Sequence, residues 1–267
     1  MLSREQEKRI RVILLALFFA SLTALVSSFT LKFYEQSFVG YAVIAISFVI
    51  NILIFSFAYV KYGGKITAAA ILTYLLFIYL TILSRYFGSV VLSSLIFSLA
   101  IVWSMEIDGN SLRAAFKKLG IRREGSARDL IWNVFSTLLI VYLLLLIEAL
   151  IFVAEGVKEA GVIKVVGEIP LYLVIFSFTL APIFEEVFFR GFLLKKLGIV
   201  LSSLLFAIVH VGYGSFFEVV GAFTVGIVFS LVYRRTNSLI TTIFSHAAVN
   251  LVTAAAVYYL KSRGIGI

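Results

Sequence analysis

The sequence predicts an all-α fold, a polytopic transmembrane helical bundle of about eight or nine membrane spans. Three observations predict it. The chain has 267 residues, of which 62% are hydrophobic and only 14% charged, whereas an ordinary soluble domain is about 45–50% apolar and about 25% charged. The apolar residues are gathered into windows of roughly the length needed to cross a bilayer as helix, the form in which a spanning backbone satisfies its own hydrogen bonds. The lysines and arginines fall in short clusters between those windows. That placement also explains the formal charge of +9: scattered basic loops fit the positive-inside rule, not a nucleic-acid partner. So few charges leave no room for a separate soluble domain. The absence of cysteine excludes disulfides, thiolate metal sites and a cysteine nucleophile.

Taken in order, the polar and basic start, Met1–Arg11, precedes an apolar run from Ile10 to Leu31. The run is longer than a signal-peptide core and lacks a small-residue cleavage site, so it is expected to stay as the first span. Further windows lie near 39–60, 66–84, 87–104, 130–153, 170–194, 198–213, 216–234 and 238–260, the seventh being short. Basic residues cluster at Arg4, Lys8, Arg9 and Arg11, at Lys61 and Lys65, through 113–128, at Lys195-Lys196 and at Arg234-Arg235. Placing them all on the cytoplasmic side gives an alternating, multi-pass integral membrane protein with a cytoplasmic N-terminus. A nine-span version leaves Lys261 and Arg263 outside. The stretch 105–129 is the sizeable polar segment. Ser111 is placed to cap a short helix with Leu112, Phe116 and Leu119 on one face, Lys117-Lys118 beside it and Gly120 at its end. It reads either as an interfacial amphipathic helix or as a solvated basic connector. Ser126-x-x-Asp129 has the spacing of a capping box opening the fifth span. The expected division is 1–127, four spans and the connector, and 128–267, a bundle that carries the chemistry.

That chemistry is marked by ionisable groups inside apolar windows, each costing at least ~2.5–3.5 kcal/mol at mid-bilayer and therefore a functional candidate by default. Glu185, Glu186, Arg190, His210, His246 and Asn250 form an acid–base set that an anchor would not need, and His210 and His246 are the two histidines of the chain. At helical rise, Glu185 lies roughly 15 Å from Lys195, His246 roughly 16 Å from Arg235 and His210 roughly 21 Å from Lys196, so three spans bring them near one level. Glu186 and Arg190 are i,i+4 in the favourable acid-before-base order. Glu185 lies about 100° around the helix, away from that pairing, which makes it the candidate general base. His246 and Asn250 share a face, and Phe206 sits one turn before His210. Pro182 removes a backbone donor and is placed to kink the sixth span. A histidine in a helix is also a common interhelical hydrogen-bonder, and a Glu–Arg pair is common bundle glue; the joint pattern favours function. Glu148, near the outer end of the fifth span, is expected to snorkel or bond a neighbour and stands outside the site, and Asn51 and Asn133 are expected to be packing contacts.

At these residues the chain resembles the CPBP family of intramembrane proteases, which includes the CAAX prenyl endopeptidases of the Ras-converting type and bacteriocin-immunity homologues. Glu185-Glu186-Val-Phe-Phe-Arg190 matches E-E-x-x-x-R, Phe206-Ala-Ile-Val-His210 matches F-x-x-x-H, and His246-Ala-Ala-Val-Asn250 matches H-x-x-x-N. The lead-in Asn237-Ser238-Leu239-Ile240 is family-like, and the likeness covers residues 128–255. The resemblance implies a membrane-embedded endopeptidase with a cavity open to the cytoplasm, removing the last three residues of a prenylated Cys-a-a-X peptide. It implies that Glu185 with His210 activates water, that His246 and Asn250 stabilise the oxyanion, and that Glu186 and Arg190 hold the helix geometry. No cofactor is expected. Two other readings stay open: a zinc-dependent protease using Glu185, His210 and His246 as ligands, since one Glu and two His match a common catalytic zinc set, and a non-enzymatic immunity or binding factor. Membrane lipid and a membrane-associated peptide are the expected partners.

Overall fold

The computed structural model describes residues 3–33, 38–68, 70–72, 75, 88–121, 125–156, 167, 169–210 and 215–263, and every regular element among them is helical. The chain divides into two compact units, Met1–Ala115 and Phe116–Ile267. The first contains α1 (Arg4–Phe33), α2 (Phe38–Tyr62) and α3 (Gly88–Val102), the last running into a π-helical turn, Trp103–Ile107. Alanines every fourth residue let α1 pack closely: Val12, Ala16 and Ala20 form a buried seam with Ile66, Ala70 and Val91. Most of the expected span 66–84 lies outside the described residues.

A short helix, α4 (Leu112–Leu119), leads into the second unit, which contains α5 (Ala127–Ala154), α6 (Leu171–Phe178), α7 (Leu180–Glu186), a π-helical segment (Val187–Leu193), α8 (Leu194–Val209), α9 (Phe216–Thr236) and α10 (Leu239–Ser262). The capping box at α5 forms as its spacing predicts: the Ser126 amide donates to Asp129 Oδ2 at 2.9 Å and the Asp129 amide to Ser126 Oγ at 3.2 Å. On α5 only Thr137 and Val141 are buried, while Trp132, Leu139, Leu143 and Leu150 lie well exposed. An apolar face of that extent is unstable in water and at home in lipid. Its inner side meets α9 and α10 through Val141, Val225, Val228, Phe229, Val232 and Val249.

Among the described residues four helices are long and apolar enough to cross a membrane: Ala127–Ala154, Leu180–Val209, Phe216–Thr236 and Leu239–Ser262, with shorter apolar helices at Val49–Tyr62 and Val90–Met105. The described residues thus support an all-helical integral membrane protein, with four such helices among them. Leu180–Val209 is not one straight rod. Gly198 has φ 77° and ψ 179°, a conformation outside the α region that glycine adopts without a Cβ penalty. The chain turns there, two residues after Lys196, as the expected division between windows 170–194 and 198–213 requires. From Gly198 to His210 the helix rises only roughly 18 Å, so it ends partway across a bilayer.

Two further local signals act as read. Pro182 lacks an N–H and crowds the carbonyl four residues back, and the helix breaks there, at Thr179 (φ −111°, ψ −75°), between α6 and α7. Asn237 adopts the left-handed conformation at φ 52° to end α9, and Ser238 caps α10 by accepting from the Ile240 amide. A two-residue connection therefore returns the chain beside Arg234 and Arg235.

The basic connector is corrected in one respect. The apolar face of α4 is covered by protein: Leu112, Ala115 and Leu119 are all buried. Within the second unit, the Leu119 carbonyl accepts from Tyr233 Oη at 3.3 Å, the Gly120 carbonyl from the Leu239 amide at 3.0 Å, and the Lys118 carbonyl from Lys195 Nζ. Gly191 permits the approach, since a Cβ there would stand 2.5 Å from the Leu119 oxygen.

Candidate active site

Glu186 is the hub of the site. It ends α7, fully buried, and its Oε1 accepts from Arg190 Nη1 at 2.6 Å and from His246 Nδ1 at 2.9 Å. The first bond is the i,i+4 pair expected from spacing; the second joins α10 to α7 and was not expected. Arg190, itself 1% exposed, is flanked by aromatic faces, its guanidinium carbon 4.3 Å from the Phe206 ring centre and 5.3 Å from that of Phe229. Its Nη2 reaches the Gly226 carbonyl at 3.4 Å. Such desolvated cation–π contacts are worth up to about 2 kcal/mol each, which helps keep a guanidinium where no water can. Glu186 Oε2 has no hydrogen-bond partner among the described residues.

Glu185 is disposed differently. Its side chain keeps 16% exposure, and its Oε2 stands 3.9 Å from His246 Nε2, too far for a hydrogen bond and near enough for charge attraction. Adjacent glutamates thus address opposite nitrogens of one imidazole.

His210 ends α8. Its Nδ1 lies 2.8 Å from the Phe206 carbonyl; a carbonyl only accepts, so Nδ1 carries the proton. The Phe206 ring lies between the two imidazoles, 4.7 Å from His210 and 5.7 Å from His246 centre to centre. Glu185, Glu186, Arg190, His210 and His246 are therefore gathered around Phe206 and the α7 terminus. Asn250 stands one turn beyond His246, where its Nδ2 donates to the Ser177 carbonyl at 2.7 Å. That carbonyl lies in the break before Pro182, so one amide hydrogen of Asn250 ties α10 to the broken helix and the second is left for other work. Among the described residues no three His, Asp or Glu side chains are arranged to hold a metal ion.

Three partners lay outside the sequence reading: Phe229 and the Gly226 carbonyl on α9, and the Ser177 carbonyl. Gly226 carried a readable signal, because glycine inside a helix costs about 1 kcal/mol relative to alanine and needs a packing reason. The reason is Ser203 of α8, whose Cβ would lie 2.9 Å from a Cβ at 226. Of the polar residues set aside from the site, Glu148 accepts from Thr224 Oγ1, Asn133 Oδ1 accepts from Arg235 Nη2 at 2.5 Å, and Asn51 is buried.

Comparison with known proteins agrees with the motifs. Residues 167–252, which contain all six site residues, match the family described as type II CAAX prenyl endopeptidase, Rce1-like. The UPF0177 protein YxdF of Lactococcus lactis subsp. lactis (strain IL1403) is 26% identical over 136 residues, 48% of this chain and 76% of that protein. No solved structure matches the chain. The resemblance read from the three motifs is thus borne out, and at the level of the family it supports a CAAX-protease-like intramembrane peptidase with a membrane-associated peptide substrate.

Proposed function

We propose that the chain is a metal-independent glutamate endopeptidase that removes the C-terminal tripeptide of prenylated Cys-a-a-X substrates in a cavity open to the cytoplasm. The observation that carries the reading is the division of labour between neighbouring carboxylates: Glu186 is buried and committed to Arg190 and His246, while Glu185 stays accessible beside the same imidazole. Water bound between Glu185 and His210 Nε2 attacks the scissile carbonyl and gives its proton to the Glu185 carboxylate. The resulting oxyanion accepts from His246 Nε2–H when that imidazole carries a proton on both nitrogens, its Nδ1–H donating to Glu186, and from the second amide hydrogen of Asn250. Collapse breaks the C–N bond, and the proton passes to the leaving amine. Oxyanion donors of this kind are each worth roughly 10²–10³ in rate. Lys195, Lys196, Arg234 and Arg235 set the cytoplasmic rim, consistent with a cytoplasmic N-terminus, an eight- or nine-span count and a catalytic region beginning near residue 128.

The test is cleavage of a fluorogenic prenylated CAAX peptide by the reconstituted protein. Glu185→Gln is expected to lower the rate by roughly 10²–10⁴, the usual contribution of a general base, and chelators to leave it unchanged. Stoichiometric zinc, with activity lost on chelation and restored by metal, would favour Glu185, His210 and His246 as ligands instead. No cleavage of any prenylated peptide, with normal cellular function in Glu185→Gln, would favour a binding or immunity factor.

A further inference from the structure

The helix that carries Glu185 ends at two adjacent lysines with different surroundings. Lys195 is an internal tie, its Nζ donating to the Lys118 carbonyl and standing 5.5 Å from the Tyr233 ring centre. Lys196 is exposed and leans back along its helix, so that Nζ lies 5.1 Å from the centre of the Phe192 ring. Long helical side chains point toward the N-terminus in this way. Phe192 stacks on Phe188, centroids 5.9 Å apart and planes 24° from parallel, and Phe188 lies one turn beyond Glu185. Outward from the accessible carboxylate, the order is thus acid, two near-parallel rings, ammonium.

The length of this row is informative. Glu185 and Phe192 are seven residues apart, at most roughly 10 Å at α-helical rise, and the Lys196 ammonium is drawn back to the level of Phe192. Three extended peptide residues span about 10–11 Å. A chain whose scissile carbonyl sits at Glu185 and which ends three residues later would therefore bring its terminal carboxylate to that ammonium, with the intervening side chains over the two rings.

Resting on the peptidase reading above, we infer that Lys196 anchors the free C-terminal carboxylate of the substrate and, with Phe188 and Phe192, sets the length of the released peptide at three residues. A carboxylate is expelled from hydrocarbon, so its seat belongs at the polar end of the helix, beside a cation. The Phe192 ring holds that cation by cation–π attraction, and the less buried Phe188 ring offers apolar surface to the residues between.

The experiment compares one prenylated peptide as free acid and as C-terminal amide, with wild type, Lys196→Gln and Lys196→Arg. Wild type is expected to favour the acid roughly fivefold to tenfold in kcat/KM, the range of a partly exposed charge-assisted contact. Lys196→Gln brings that ratio near one, and Lys196→Arg restores it. A wild-type ratio of one, or a ratio that survives Lys196→Gln, overturns the anchor and leaves the peptidase intact. Failure of wild type to cleave either peptide overturns the peptidase reading, and the anchor with it.

Discussion

Replacing Glu186 by leucine separates support from catalysis. The substitution keeps approximate volume and removes the oxygen that accepts from Arg190 at 2.6 Å and His246 at 2.9 Å. The arginine, 1% exposed, then keeps the Phe206 and Phe229 rings, a 3.4 Å approach to the Gly226 carbonyl and a through-space attraction to Glu185, but no carboxylate in hydrogen-bond contact. Removing one partner of a buried ion pair costs about 3–5 kcal/mol, because the other charge stays behind without solvent. At about 2–4 °C per kcal/mol for a chain of this size, Tm falls by roughly 6–20 °C. The companion variant Glu186→Leu/Arg190→Met removes both charges and recovers most of that loss, since an apolar replacement of a buried pair is often neutral or better. Glu185→Gln, isosteric and partly accessible, moves Tm by no more than a few degrees while lowering turnover roughly 10²–10⁴-fold. The assay is intrinsic-fluorescence melting in detergent at fixed scan rate, alongside peptide cleavage. A single variant that melts with wild type, or a double variant less stable than the single, would refute the assignment of Glu186 as a desolvated hub.

Two backbone predictions follow from glycines. Gly226→Val places a Cβ 2.9 Å from Ser203 Cβ and 3.1 Å from Ser203 Cα, so α8 and α9 must separate; overpacking costs about 1–3 kcal/mol, and Tm falls by roughly 2–12 °C, with unchanged melting contradicting the close approach. Gly198→Ala meets no atom within 4 Å but forces a side chain to φ 77°, a strain of about 1–3 kcal/mol; a Tm equal to or above wild type would mean that the chain does not turn at 198.

What could be read in advance follows from how far each interaction reaches along the chain. The Glu186–Arg190 pair, the Ser126–Asp129 box, the Pro182 break and the stop at Asn237 all form between residues within about one helical turn. Backbone geometry alone sets their distances, so spacing was sufficient. Apolar windows likewise announced helices for lipid, and the division between windows 170–194 and 198–213 falls at the turn at Gly198.

The sequence by itself determined that costly polar groups sit inside apolar helices and which of them share a helix face, because rise and rotation per residue are fixed along a helix. Only the tertiary structure decided which of them meet. His246 joining Glu186, Asn250 taking the Ser177 carbonyl, Phe206 standing between two imidazoles and α4 burying its apolar face all depend on the rotation of one helix against another. That rotation is fixed by the fit of small residues such as Gly226 against Ser203 and Gly191 against the Leu119 carbonyl, a fit between surfaces distant in sequence that no periodicity encodes.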